Sequence, residues 1–110
     1  MKKLNILLLT ILISFNAFAY EVVDVCATYS NTGKNYAVQG NIYKGSELNS
    51  ETNSFNYMPL STYVVIFWSN EQASVIKLDS YYGTLFHYGT SGQDQRGYPW
   101  TIKKGHTYCW

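Results

Sequence analysis

The chain has 110 residues, a formal net charge of +1, and 17% aromatic against 14% charged residues, with Lys and Arg gathered into no stripe or cluster. A nucleic-acid partner therefore lacks its electrostatic footprint, and the length suits one domain with a limited core. Two cysteines outside any CxxC or Cys/His spacing, and glycines that fit neither nucleotide-binding signature, give no reason to expect a metal or a cofactor.

Met1-Lys2-Lys3 makes a positive end, residues 6–15 are apolar except for Thr10 and Ser14, and Ala17-Phe18-Ala19 has the small-x-small pattern of a signal-peptidase site. Cleavage is expected between Ala19 and Tyr20, leaving residues 20–110 as a single exported β domain, periplasmic or secreted. An apolar run of about ten residues is half of the roughly 20 that a spanning helix needs, so no stable membrane insertion is expected after cleavage. Losing Lys2 and Lys3 takes two positive charges from the formal +1, which leaves about one net negative charge. Cys26 and Cys109 then face an oxidising compartment from near the two ends of the remaining chain. With no His near Cys26 in sequence to activate a thiol, a structural disulfide between them is expected.

After the leader the pattern is strand and turn. Residues 21–30 alternate, with Val23, Val25, Ala27 and Tyr29 on one face and Val22, Asp24, Cys26 and Thr28 on the other. The cluster Asn31-Thr32-Gly33-Lys34 turns the chain into a second strand in which Tyr36, Val38, Gly40 and Ile42 share a face. Residues 45–61 are polar and long for a loop in a small domain, which implies a mobile or functional segment with room for a helical turn near residues 46–50. Residues 62–69 form the most apolar run and suit a central strand; Asn70-Glu71-Gln72 joins it to residues 73–79 as a second hairpin. Short strands are expected at 84–88 and 98–103, separated by a glycine-rich loop over 89–97, and Gly105 introduces a last strand at 106–110. The fold class is all-β, a small antiparallel barrel or sandwich of about six to seven strands, with the disulfide locking its first and last strands.

The 11 Tyr and 3 Trp are too many for so small a core. Tyr29, Tyr36, Tyr63, Phe67 and Trp68 sit inside strand patterns and fit cross-strand packing. Tyr81, Tyr82, Tyr88, Tyr98 and Trp100 flank loops and fit either packing or a binding face. Between them, Gln93, Asp94, Gln95 and Arg96 stand among glycines. The candidate partner-binding residues are Tyr81, Tyr82, Ser91, Asp94, Arg96 and Trp100. Rings beside Asp, Gln and Arg stack on sugar faces and bind hydroxyls, and a loop bearing Ser91 and Arg96 fits a carboxylate-lined enzyme cleft. A plain glycine-rich turn, in which Asp94 accepts local backbone hydrogen bonds and Arg96 makes a weak surface pair, explains the same residues.

Neither His87 nor His106 stands at a spacing that implies a triad, and nothing selects a carboxylate pair from Glu47, Glu51, Asp79 and Asp94, so no catalytic residue is expected. An outer-membrane barrel strand ending at Trp110 would place Lys104 and His106 in its lipid-facing row, which is unfavourable. The expected function is a non-enzymatic exported binding protein. An inhibitor or immunity-type role on a protein partner is its leading version, a cell-envelope glycan-binding module is the alternative, and a small secreted toxin or effector is third. In form, with its leader, all-β body and one bridge from Cys26 to Cys109, the chain is similar to small periplasmic lysozyme inhibitors. That is an analogy of form rather than of motif, and it implies an inhibitor's role.

Overall fold

The computed structural model describes residues 21–79 and 89–110; the leader, its cleavage site at Ala19 and Tyr20, the strand expected at 84–88, and Tyr81, Tyr82 and His87 lie outside them. Among the described residues six strands close into an antiparallel barrel in chain order: β1 (Glu21–Tyr29), β2 (Lys34–Lys44), β3 (Thr62–Phe67), β4 (Ala73–Leu78), β5 (Thr90–Gln93) and β6 (Pro99–Lys104), with β6 pairing back onto β1. One helix, α1 (Gly45–Thr52), lies between β2 and β3. No described helix is long and apolar enough to cross a membrane.

Period-two alternation selects the core. Val25 and Ala27 from β1, Ile42 from β2, Val64 and Ile66 from β3, Ile76 and Leu78 from β4, and Trp100 and Ile102 from β6 fill the barrel, with Val23, Tyr29, Tyr36, Val38 and Trp68 packed against them. The faces expected of the first two strands are the observed ones. Gly40 occupies an inward position because a Cβ there would lie 2.9 Å from a Val64 methyl and 3.3 Å from one of Val25.

The long apolar run of β3 has a separate cause. Its Val64 and Ile66 face the barrel interior, while Tyr63 and Val65 on the outer face are covered by Leu48 of α1 together with Tyr43 and Tyr57. A strand buried on both sides loses its alternation. The helix begins where the Lys44 N–H donates to the Glu47 carboxylate at 2.8 Å and ends at Asn53 in the left-handed conformation, φ 54°. Gly45 is required at its start, since a Cβ would collide with the Met58 carbonyl.

The polar segment after the helix is held by hydrogen bonds. The Asn49 side chain donates to the Tyr57 carbonyl and accepts from the Tyr57 N–H, both at 2.9 Å, and the Met58 N–H donates to the Tyr63 hydroxyl at 2.9 Å. Residues 45–61 thus form one helix, where a helical turn near residues 46–50 was expected, and a tied loop.

Two expectations are corrected. Thr90–Gln93, placed in a loop by its Thr-Ser-Gly-Gln composition, is strand β5. Its backbone pairs with both β4 and β6, and Gly92 is present because a Cβ would collide with the Lys77 carbonyl. Residues 106–110 are a tail and not a strand. β6 leaves β1 at the Val25–Lys104 pair, where Gly105 with φ 89° turns the chain aside, and the Cys109 N–H then donates to the His106 carbonyl at 3.1 Å within the tail. The tail follows a different set of bonds: the Gly105 N–H to the Asp24 carbonyl at 2.7 Å, His106 Nε2 at 2.9 Å from the Val38 carbonyl, and Asn35 Nδ2 donating to the Trp110 carbonyl at 3.1 Å. The disulfide joins Cys26 to Cys109 with their Cα atoms 5.5 Å apart, so it ties β1 to this tail.

Candidate functional site

Pairing places three turns at one end of the barrel. Tyr29 pairs with Lys34 and with Trp100, Phe67 with Ala73, and Gln93 with Pro99. Aromatic residues at these strand ends converge: Tyr29 closes β1, Tyr36 opens β2, Trp68 follows β3 and Trp100 lies near the start of β6. Together with Ser69, Asn70, Gln72, Ala73, Ser74, Gln95 and Arg96 they line an open cleft of about 730 Å³. Barrel mouths of this size are common ligand sites.

Trp100 is the floor. Only 4% of it is exposed, and its ring centroid lies 5.0 Å from that of Tyr29, 6.0 Å from Tyr36 and 6.2 Å from Trp68, the last with the planes 28° apart. Tyr36 and Trp68 meet edge to face at 5.3 Å. Both indoles are anchored: Trp68 Nε1 donates to Ser74 Oγ at 2.9 Å, and Trp100 Nε1 donates to Asp94 Oδ2 at 3.0 Å. The half-buried Tyr29, Tyr36 and Trp68 line the cleft beside this floor.

Asp94 organises the wall. Its side chain is 0% exposed while that of Arg96 is 58% exposed. Oδ1 accepts from the Arg96 N–H at 2.9 Å and the Tyr98 N–H at 3.0 Å; Oδ2 accepts from Arg96 Nη2 and Trp100 Nε1, each at 3.0 Å. Burial pushes this carboxyl up, but the hydrogen bonds from the Trp100 and Arg96 side chains and from the Tyr98 and Arg96 backbone outweigh it, and the group is held below the ordinary carboxylate range. Arg96 then lies over the Tyr98 ring, its Cζ 4.6 Å from the centroid.

Gln95 has a different task. β5 joins β4 at Lys77 and Leu78, leaving the start of β4 without a backbone partner on that side. The Gln95 amide takes the place of a strand there, donating to the Ala73 carbonyl and accepting from the Val75 N–H, both at 2.8 Å. The stagger between β4 and β5 leaves the cleft open on this side.

Of the residues singled out from sequence, the structure brings Asp94, Arg96 and Trp100 together: Trp100 and Arg96 line the cleft, and Asp94 lies buried behind them. Ser91 is elsewhere, on the outer face of β5 with its hydroxyl donating to Asp79 at 3.0 Å. Sequence reasoning assigned Tyr29, Tyr36 and Trp68 to packing. They do pack on the core, but they also form most of the aromatic lining. The signal was an aromatic residue near a turn cluster in successive hairpins, as in Tyr29-Ser30-Asn31 and Trp68-Ser69-Asn70. The lining supplies ring faces, hydroxyls, amides and one guanidinium, a set suited to holding a ligand by stacking and hydrogen bonding. Among the described residues no three His, Cys, Asp or Glu side chains gather to hold a metal ion. No protein-family model matches this chain, and comparisons with curated proteins and with solved structures find no match.

Proposed function

We propose that this protein is an exported, non-enzymatic binding module whose barrel-mouth cleft takes a glycan of the cell envelope or its surroundings. The observation that carries this is the lining itself: ring surfaces of Tyr29, Tyr36 and Trp68 over the Trp100 floor, edged by the side chains of Asn70, Gln72, Gln95 and Arg96. Pyranose rings offer apolar C–H faces and a rim of hydroxyls, and aromatic rings edged by amides complement both. The Arg96 guanidinium is bonded to Asp94 and lies on the Tyr98 ring, so it stands as part of the cleft wall, a placement that favours a glycan over an inhibitory loop. Export is supported by the leader pattern and by the Cys26–Cys109 bridge.

Titration of the oxidised protein with envelope oligosaccharides, followed by calorimetry and by amide and indole NMR shifts, tests this. Shifts are expected at the Trp68 and Trp100 indoles and at the Gln95 side-chain amide. Trp68→Ala is expected to raise Kd by about tenfold or more. Absence of saccharide binding, or binding that Trp68→Ala leaves unchanged, overturns the proposal.

A protein partner is the second version, favoured by the segment after α1, where Phe55 is 99% and Leu60 91% exposed beside an exposed Met58. Loss of a specific partner on Phe55→Ser with Leu60→Ser, and not on Trp68→Ala, would replace the glycan by that partner.

A further inference from the structure

Among the described residues Arg96 is the cation that lines the cleft, and its environment fixes its orientation. One edge is bonded to Asp94 through Nη2 at 3.0 Å and its face rests on Tyr98 at 4.6 Å. Its remaining N–H donors have no protein partner among the described residues. Asp94 is saturated by four donors and fully buried, so it offers no acceptor to a ligand. No carboxylate is among the described lining residues; Glu71 lies in the adjoining turn between Asn70 and Gln72 but does not line the cleft. A second cation, Lys34, stands with its Nζ 5.4 Å from the centroid of Tyr36, one of the stacking rings.

From this we propose that the cleft selects sugars bearing a free carboxylate, with Arg96 as the carboxylate anchor and Tyr36 and Trp68 as the platforms for the ring that carries it. The proposal rests on the cleft being a glycan site. A guanidinium with one edge and its face already fixed loses little freedom on binding, and its open donors match a planar carboxylate with two parallel charge-assisted hydrogen bonds. Hydroxyls alone are served as well by the amides of Asn70 and Gln72. A carboxylate is the group for which a guanidinium exceeds them. Such a sugar is either a hexuronic acid within a polysaccharide or a terminal nonulosonic acid, and the two share this chemistry.

The test uses the oxidised protein expressed from its full sequence, with a hexuronic acid tetrasaccharide, sialyllactose, and the carboxyl-reduced form of each as calorimetric ligands. At least one acidic ligand is expected to bind about tenfold or more tightly than its reduced form, and the preference is expected to shrink as salt rises. Which acid is preferred assigns the source. Arg96→Gln is expected to abolish the acid-to-reduced ratio. Arg96→Lys, which keeps the charge and loses the fork, is expected to retain part of the ratio; amide spectra of both variants verify the fold. Equal binding of acidic and reduced ligands, or a preference that survives Arg96→Gln, overturns carboxylate selection and leaves the glycan site standing. If no saccharide binds, the parent proposal fails and this one with it.

Discussion

Asp94 carries more of this molecule than its size suggests. It links the β5–β6 turn to the cleft floor through Trp100 and to the cleft wall through Arg96. Asn at this position keeps the shape but turns an NH2 group toward donors, so Asp94→Asn is expected to cost about 2–3 kcal/mol of stability, on the scale of hydrogen bonds to charged groups. The pH dependence has a definite sign. Because the folded carboxyl ionises at lower pH than the unfolded one, its contribution is complete above about pH 4 and is lost as pH falls through the folded value. Denaturant unfolding of both proteins from pH 7 downward measures this. A wild-type advantage that fails to shrink below about pH 4 would remove ionisation as the cause.

At the level of elements, a side chain completes the β4–β5 seam. Gln95→Ala removes the partner of the Val75 N–H and the Ala73 carbonyl at once. Hydrogen exchange at the Val75 amide is expected to quicken by about tenfold or more, with a loss of about 1–2 kcal/mol in global stability. Unchanged protection at Val75 would show that solvent or a rearranged backbone serves equally well. The same seam explains why β5 was illegible. Of Thr90, Ser91, Gly92 and Gln93 only Thr90 favours a strand, and the segment is extended because two neighbouring strands supply the hydrogen bonds. β3 shows the opposite: its apolar run marked it as central, while the cause, a helix over its outer face, lay in a segment read as polar loop.

For the whole molecule, the disulfide closes a separation of 83 residues. In the chain-entropy picture, removing it lowers stability by about 4.5 kcal/mol. Cys26→Ser with Cys109→Ser is therefore expected to unfold at much lower denaturant, and the Asn35 to Trp110 bond of the tail is expected to be lost from the NMR contacts. Retained stability would mean that barrel closure through β1 and β6 is sufficient without the bridge.

Alternation along β1, β2 and β4, and the two cysteines near the ends, were legible because they express local rules: side chains alternate across a strand at every residue, and the cysteine arithmetic allows one intramolecular pair. An all-β barrel or sandwich and the Cys26–Cys109 bridge followed from the order of amino acids, as did Trp100 and Arg96 as residues of interest. The cleft did not follow. Its rings come from three hairpins, with Tyr29 and Tyr36 on one and Trp68 and Trp100 on the others, and they become neighbours when β6 pairs with β1 and closes the barrel. Local pattern reports which side of a strand faces inward. Where along the barrel those inward rings meet, and that Asp94 is buried while Arg96 stays open, depends on register and closure, which are properties of strand pairs and not of any single strand.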